Sequence, residues 1–272
     1  MASVITGDGA RAAPLTKPYL LTTLTDRRGV AVAVTGDATT AVVEMAVHGE
    51  WSTRFGDQIA TCLRLCLAGP SVTAIIDLHD LEDPLGLSMP FWMAAWRRAR
   101  FDTSPVDLVL CVPGASALGR RLRAAEGPQL FAGPAQARPA VAAQVSQADR
   151  LQARLASRPH CIRAARDLAR QACNAWNLHH LVQDTALTMS ELATNAVEHA
   201  RTDFVVTVSR QARRLHVAVQ DGAPQFPRLR RPDPPGPAAS PGGRGLVMVD
   251  RIAAAWGAMP TRGGKVVWAT LE

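Results

Sequence analysis

The spacing of apolar residues predicts an alternating β/α pattern in the first half of the chain. Short apolar runs typical of strands are separated by stretches in which apolar residues recur at helical spacing. The predicted strands cover 42–49, 72–78 and 106–112, and the predicted helices cover 55–68, 86–100 and 115–125. Strands that alternate with helices indicate a sheet covered by helices.

The pattern changes after Pro159. Two helices are predicted first, then two alternating strands, a stretch with seven prolines between Pro224 and Pro241, a further helix and a closing strand. These elements cover 162–176, 181–200, 204–210, 214–221, 242–257 and 265–271. We therefore predict an α/β protein of two domains.

Loop-like composition sets the predicted domain boundaries. The polar, proline-containing start of the chain is typical of a flexible tail, and an Ala/Gln/Arg-rich stretch in the middle is typical of a helix that leads into a linker. The predicted parts are a tail 1–25, a first domain 26–143, a linker 144–158 and a second domain 159–272.

Composition excludes several classes of protein. With 272 residues, 47% of them hydrophobic, the chain can bury a core, which excludes wholesale disorder. No stretch approaches the ~18 uncharged apolar residues of a membrane span, and the N-terminus lacks the basic and apolar regions of a secretory signal. We therefore expect a cytoplasmic protein with no membrane contact.

The excess positive charge lies entirely in the second half. Residues 1–150 contain equal numbers of basic and acidic residues, whereas 151–272 contain sixteen and nine. A basic half suits a nucleic acid, a polyphosphate ligand or an acidic protein partner. Five of the arginines in this half, which are close together in sequence, lack interleaved aromatic residues, so a solvated basic face is favoured over nucleic-acid binding. They are Arg213, Arg214, Arg228, Arg230 and Arg231.

The five cysteines indicate buried thiols rather than disulfides. They are an odd number, widely spread, in a chain without a recognisable secretory signal. Cys62 and Cys66 are four residues apart on a predicted helix, but no nearby pair of Cys or His residues completes a zinc site.

Three short motifs carry the candidate chemistry. On the helix 181–200, Glu191 and Asn195 are four residues apart, which places a carboxylate and a carboxamide on one face. Such a pair can hold a cation and activate a nucleophile. The dipeptide Asp221-Gly222 then ends a strand, and a glycine-rich turn opens a helix whose free N–H groups can receive phosphate. That turn consists of Gly243, Arg244, Gly245 and Leu246.

These motifs, in this order, resemble the Bergerat ATP-binding fold of gyrase, histidine kinases and MutL. The matching pairs are Glu191 with Asn195, Asp221 with Gly222, and Gly243 with Gly245. Within that superfamily the sequence is most similar to anti-sigma factor serine kinases of bacterial partner-switching systems. The similarity covers roughly 157–272 and includes the run SELATNAVEHA, a short lid and the terminal GGKVVWATL.

The resemblance implies a role for each residue. Asn195 would coordinate a Mg²⁺ ion that bridges the phosphates of ATP, and Glu191 would be the general base for the attacking hydroxyl. Asp221 would accept a hydrogen bond from the adenine amino group. Gly243 and Gly245 would let the backbone approach the phosphates.

Other residues near these motifs have more than one interpretation. Arg244 either adds positive charge at the phosphates or is simply exposed, and His199 is expected to pack rather than to act in catalysis. The lid, 223–242, is expected to close over nucleotide, with hinges at Gly236 and Gly242. Kinases of this family often have a basic lid residue where this chain has Pro241, so ATP binding is better supported than phosphoryl transfer.

The first domain has a second, weaker resemblance. Its element order over about 42–141 is similar to the STAS domain of anti-sigma factor antagonists, the substrates of those kinases. The family's phosphorylated serine lies in a loop that here has the sequence Asp83-Pro84-Leu85-Gly86, which lacks the hydroxyl. Ser88 follows within the predicted helix, where a structural role is favoured.

Two functions remain open from the sequence. The first is an ATP-dependent protein-serine kinase and anti-sigma factor that acts on a separate STAS antagonist. The alternative is a non-catalytic ATP-binding scaffold whose STAS-like domain acts as a pseudo-substrate. The partners implied are an antagonist, a sigma factor and, by resemblance, a second copy of the chain. A sensor histidine kinase is disfavoured because no His-bearing dimerisation helices precede the second domain.

Overall fold

The computed structural model describes residues 16–26, 29–101, 105–143, 149–211, 214–229 and 245–272. The helices are α1 Thr53–Leu67, α2 Met89–Arg100, α3 Ala117–Arg123, α4 Pro134–Ala142, α5 Pro159–Ala175, α6 Val182–Asn195 and α7 Gly245–Ile252. The strands in the first half are β1 Tyr19–Leu20, β2 Leu24–Asp26, β3 Gly29–Asp37, β4 Val42–Val47, β5 Gly49–Glu50, β6 Thr73–Asp77, β7 Leu81–Glu82, β8 Asp107–Cys111 and β9 Leu130–Phe131. The second half contributes β10 Arg150–Leu155, β11 Phe204–Gln211, β12 Arg214–Asp221, β13 Ala255–Thr261 and β14 Gly264–Leu271.

The first half forms a mixed sheet with strand order β2-β3-β4-β6-β8-β9. The first three strands are antiparallel, and the pairs from β4 to β9 are parallel with helical connections. Every strand and helix predicted between 42 and 125 is present. The hydrophobic pattern was not used to predict β3, although apolar residues alternate along this strand and Val32 and Val34 are buried in the core.

The second half forms a sheet with strand order β1-β13-β14-β12-β11-β10. Its strands are antiparallel except at the edge, where β1 pairs in parallel with β13. Helices α5 and α6 cover one face, and small residues such as Ala165 and Ala169 let α5 approach closely. The described residues therefore form a mixed α/β structure with two six-stranded sheets and a small sheet of β5 and β7, and the predicted α/β fold class is confirmed.

The structure differs from the expected tail and linker. Tyr19–Leu20 is a strand, and Lys17 donates to the carbonyl oxygens of Asp250 and Ala253 at the end of α7, at 2.5 and 2.6 Å. The expected linker contains β10, which pairs along its whole length with β11. Both segments gain their structure from strands far away in sequence, which local composition does not reveal.

The helix expected over 242–257 is also shorter than predicted. It ends at Ile252, and the chain then enters β13. The run of apolar residues continues through Trp256 because both the helix and the strand are buried, so hydrophobicity alone does not mark the boundary.

One of the hydrophobic clusters is shared by the two halves. Trp268, Met259 and Val266 lie on the face of the second sheet that is not covered by helices, and they pack with residues of the first domain. At Gly36 a side chain would clash with the sulfur of Met259. Polar contacts border this interface, including Thr207 Oγ1 to the Ala38 carbonyl at 3.2 Å.

The cysteines are all reduced thiols. Cys66, Cys111, Cys161 and Cys173 are buried, and Cys62 is half-buried, close to the expectation of core cysteines. Within the described ranges, no helix has both the length and the apolar character needed to cross a membrane.

Candidate nucleotide site

One cleft brings together half of the predicted site residues, namely Glu191, Asn195, Gly245 and Leu246. It has a volume of about 360 Å³ and lies between α6, the start of α7 and the adjoining ends of β12 and β14. Its lining residues are Glu191, Thr194, Asn195, Glu198, His199, Ala223, Gln225, Phe226, Pro227, Arg228, Gly245, Leu246 and Lys265. All of them come from the second half of the chain.

Helix α6 presents the carboxylate and the carboxamide to this cleft. Glu191 and Asn195 lie one turn apart near its C-terminal end, as the sequence spacing predicts. After Asn195 the helix continues as a π-helical turn, Ala196–Ala200, and ends at Arg201 in the left-handed conformation. π-Helical turns are frequent at functional sites because they change which side chains face one direction.

The π-helical turn adds two side chains to the cleft that the sequence motifs did not predict as site residues. Glu198 and His199 are both exposed and both line the cleft. The expectation that His199 packs is therefore wrong.

Glu191 lies in an environment suited to a proton acceptor. Burial raises the pKa of its carboxyl, the negative charge of Glu198 raises it further, and Arg166 opposes this change. Its carboxylate lies against the backbone of Gly245, where any side chain would clash with Oε2. The glycine that opens α7 is thus required by the position of Glu191.

Asp221 is held by a buried ion pair. Lys265 Nζ donates to Asp221 Oδ1 at 2.9 Å and to the Ala223 carbonyl at 3.2 Å. The side chains of the pair are only 4% and 1% exposed, for Lys265 and Asp221 respectively. The lysine, rather than the aspartate, is among the described residues that line the cleft.

The strand ends around this pair approach each other closely. Gly222 N–H donates to Thr202 Oγ1 at 2.8 Å, and a Cβ at Gly264, where φ is +157°, would clash with the Asp221 carbonyl oxygen. A side chain at Gly264 would separate β14 from β12 and pull Lys265 away from Asp221.

Several predicted residues lie outside the described part of the chain. They are Gly243, Arg244 and Pro241, together with the lid hinges Gly236 and Gly242. The lid segment that is described, 223–229, contributes Phe226 to the wall of the cleft.

Sequence reasoning missed Lys265, although composition held a clue. The chain has 28 arginines and only two lysines, Lys17 and Lys265. Both lysines make specific buried or half-buried contacts, at the end of α7 and at Asp221 respectively. Because nearly all basic residues of this chain are arginines, a lysine indicates a position where the arginine side chain does not serve the same purpose.

The loop over 83–86, which the sequence resemblance compares with a STAS phosphorylation loop, has no exposed serine hydroxyl beside it. Ser88 is fully buried; its Oγ donates to Asp83 Oδ2 at 2.6 Å and accepts from Trp92 Nε1 at 3.1 Å. It precedes α2 rather than lying inside it. Leu85 is 68% exposed, and Arg121 donates to its carbonyl at 3.2 Å.

A comparison with protein families supports the prediction of an ATP-binding domain in the second half of the chain. Residues 155–271 match the family model described as a histidine kinase-like ATPase domain. This match implies an ATP-binding domain, and it begins close to the predicted domain start.

Among solved structures, one match is the crystal structure of the RsbU and RsbW domains of Rv1364c from Mycobacterium tuberculosis. It has 19% sequence identity and a TM-score of 0.34, and the alignment covers 45% of this chain and 32% of that one. The chain therefore corresponds to about a third of the length of that protein. A comparison with curated proteins finds no match.

We expect the acid limb of the pH–rate profile to report the charges around Glu191. If Glu191 is the base, turnover falls as pH decreases through its raised pKa. Glu198→Gln removes a neighbouring negative charge and should shift this limb to lower pH. Arg166→Gln removes the opposing positive charge and should shift it to higher pH. Profiles of ATP turnover that coincide for all three proteins would contradict the assignment.

Proposed function

We propose that the protein is an ATP-binding regulator of a bacterial partner-switching system that phosphorylates a serine on a separate STAS-type antagonist. The observation that carries this proposal is the convergence of Glu191, Asn195 and Gly245 on one cleft within a histidine kinase-like ATPase domain. A sigma factor is the second proposed partner, since anti-sigma kinases of this type bind both.

The residues present fit magnesium-bound ATP. Hard oxygen donors suit Mg²⁺, and the Asn195 carboxamide supplies one on the cleft wall. Gly245, which has no side chain, opens α7 on the wall of the cleft, and the first N–H groups of a helix are suited to receive phosphate. Mg²⁺ held by Asn195 would neutralise charge on the β- and γ-phosphates.

The proposed reaction requires the protein to accept one proton and to position the serine hydroxyl against the γ-phosphate. Glu191 accepts the proton of the substrate serine hydroxyl as the oxygen forms its bond to the γ-phosphorus, and the bond to the β-phosphate oxygen breaks to leave ADP. A carboxylate whose pKa is raised by burial accepts a proton more readily than an exposed one. Arg228 on the cleft rim adds positive charge near the phosphates.

The decisive experiment incubates the full chain with γ-labelled ATP, Mg²⁺ and purified STAS partners. Transfer of label to a partner serine supports the kinase. Label on neither protein, with ATP still bound, supports the scaffold instead.

The scaffold is the second candidate function, and the loop at Leu85 favours it. An exposed leucine replaces the phosphorylatable residue, and the nearby Ser88 is buried in hydrogen bonds. The first domain therefore offers no nucleophile at this loop. In the scaffold function it would compete for partners without being phosphorylated.

Asn195→Ala should remove the magnesium-dependent part of ATP affinity. Loss of a metal ligand is expected to weaken Mg·ATP binding by about tenfold or more. Binding measured in EDTA should change little. Titration calorimetry with and without Mg²⁺ checks this, and Asn174→Ala, the same change at an exposed position on α5, is the matched control. Equal affinities for both variants in Mg²⁺ would exclude Asn195 from the site.

A further inference from the structure

We propose that Arg150 binds a monatomic anion of the size of chloride in a small cavity between the two halves of the protein, with the hydroxyls of Ser71 and Ser209 as further donors. The anion would join the segment after α1 in the first half to strands β10 and β11 of the second sheet. The cavity shares no described lining residue with the nucleotide cleft, so the inference does not depend on the proposed function.

Arg150, at the start of β10, is a buried cation whose charge is incompletely balanced. The residue is only 9% exposed, and its Nε–H is buried with no hydrogen-bond partner among the described residues. Burial lowers the pKa of the guanidinium, and the negative charge of Asp37 opposes this change only in part. Because an arginine does not lose its proton in a protein, we expect the missing compensation to come from a bound group.

Asp37 lies on the wall of the same cavity, but its carboxylate is engaged by its own turn. Its Oδ1 accepts from the backbone N–H and the hydroxyl of Thr39, at 2.7 and 2.5 Å, and its Oδ2 accepts from the hydroxyl of Thr40 at 3.0 Å. These three hydrogen bonds hold the carboxylate in the turn between β3 and β4 and disperse its charge. It therefore repels an anion beside Arg150 less than a carboxylate without such donors would.

The cavity places two serine hydroxyls near the guanidinium. Ser209 is the direct partner of Arg150 in the antiparallel register of β10 and β11, and both side chains line the cavity. Ser71 lines it from the first half, and the two serines are 4% and 8% exposed, for Ser71 and Ser209 respectively. A serine hydroxyl can turn its proton toward an anion, whereas the hydroxyl of Thr207 in the same wall already donates to the Ala38 carbonyl.

The size of the cavity determines the class of ligand. Its volume is about 20 Å³. One water molecule requires about 10–15 Å³, so the space suits a single monatomic ion and is too small for phosphate, sulfate or an organic acid. A water molecule would accept the Nε–H bond of Arg150 but would leave its charge uncompensated, whereas a halide ion does both.

Contacts between the two halves hold the walls of the cavity in place. Ala38 N–H donates to Gln220 Oε1 at 3.1 Å, and Gln211 Nε2 donates to the Ser71 carbonyl at 3.5 Å. Met259 supplies part of the apolar wall. Since the donors come from both halves, the site is complete only when the halves are packed together. Binding of an anion should therefore stabilise the folded protein.

Urea unfolding of the full chain in increasing sodium chloride tests the site, with sodium gluconate, whose anion is too large for the cavity, keeping the ionic strength constant. A ligand that binds only the folded state lowers the unfolding equilibrium constant by one plus the ratio of its concentration to its dissociation constant. At about ten times the dissociation constant, chloride should thus lower it about elevenfold in the wild type. Arg150→Met should lose this chloride dependence. Arg154→Met, which removes an exposed cation from the same strand, is the matched control and should keep it.

A diffraction measurement distinguishes an anion from water and needs no variant. Wild-type crystals grown in sodium bromide should show an anomalous bromine peak within hydrogen-bond distance of Arg150 Nε. Water density without anomalous signal at this place overturns the inference. Equal stability of the wild type in chloride and gluconate overturns it as well, and a bromine peak would then mean binding at crystal concentration only. A folded Arg150→Met that keeps the full chloride dependence excludes Arg150 as the anion ligand and also overturns the inference.

Discussion

Glu191→Ala should abolish phosphoryl transfer while ATP still binds. Loss of a general base costs about 10²-fold or more in rate. In the proposed reaction the carboxylate contacts the attacking hydroxyl rather than the nucleotide, so the dissociation constant for Mg·ATP should change little. Single-turnover assays with labelled ATP measure the rate, and calorimetry measures the affinity.

Two controls make this result interpretable. Glu191→Gln keeps the size of the side chain against Gly245 but cannot accept a proton, so it should be as inactive as the alanine variant. Glu126→Ala, at an exposed position in the first half, should behave as wild type. If wild type and Glu191→Ala turn over ATP at the same slow rate, the scaffold function is correct.

Trp268→Ala should destabilise the whole protein by about 3–5 kcal/mol, the usual cost of truncating a fully buried tryptophan. Trp268 is 0% exposed and lies in the core shared by both halves, with its ring 6.0 Å from that of Tyr19. Its indole N–H is buried with no partner among the described residues, so the loss comes from packing rather than from a broken hydrogen bond. Denaturant unfolding monitored by circular dichroism gives the free energy.

The matched control is Trp96→Ala. Trp96 is half-buried on α2 and lies beneath Arg100, at 5.7 Å from the guanidinium, so its removal should cost much less. A loss for Trp268→Ala no larger than that for Trp96→Ala would show that the shared core contributes little. Deletion of the first half would expose Trp268 and Met259 to water and should therefore destabilise what remains.

The meeting of Glu191, Asn195 and Gly245 at one cleft could be predicted from the sequence because the information there is local. Glu191 and Asn195 are separated by one helical turn, and a helix of that pattern places them together whatever the rest of the chain does. Gly245 could be predicted for the same reason, as the start of a helix. To predict that these residues lie together, it was enough to assign the two helices correctly.

The parts that were missed depend on strand register. Lys265 meets Asp221 only because β14 pairs with β12 in one register, and a shift of one residue would turn the lysine to the other face. The shared core was missed because both faces of β12 are buried, so His216 and Ala218 give no alternation that marks a second interface.

The short edge strand β1 also affects how the protein is made. Tyr19–Leu20 is synthesised long before its partner residues Gly257 and Ala258. β1 therefore has no partner strand until those residues have been made, and pairing over this distance in sequence is slow. Until then Lys17 also lacks the carbonyls of Asp250 and Ala253 at the end of α7. A tag or cleavage site placed close to Lys17 would thus affect the helix that opens the nucleotide cleft.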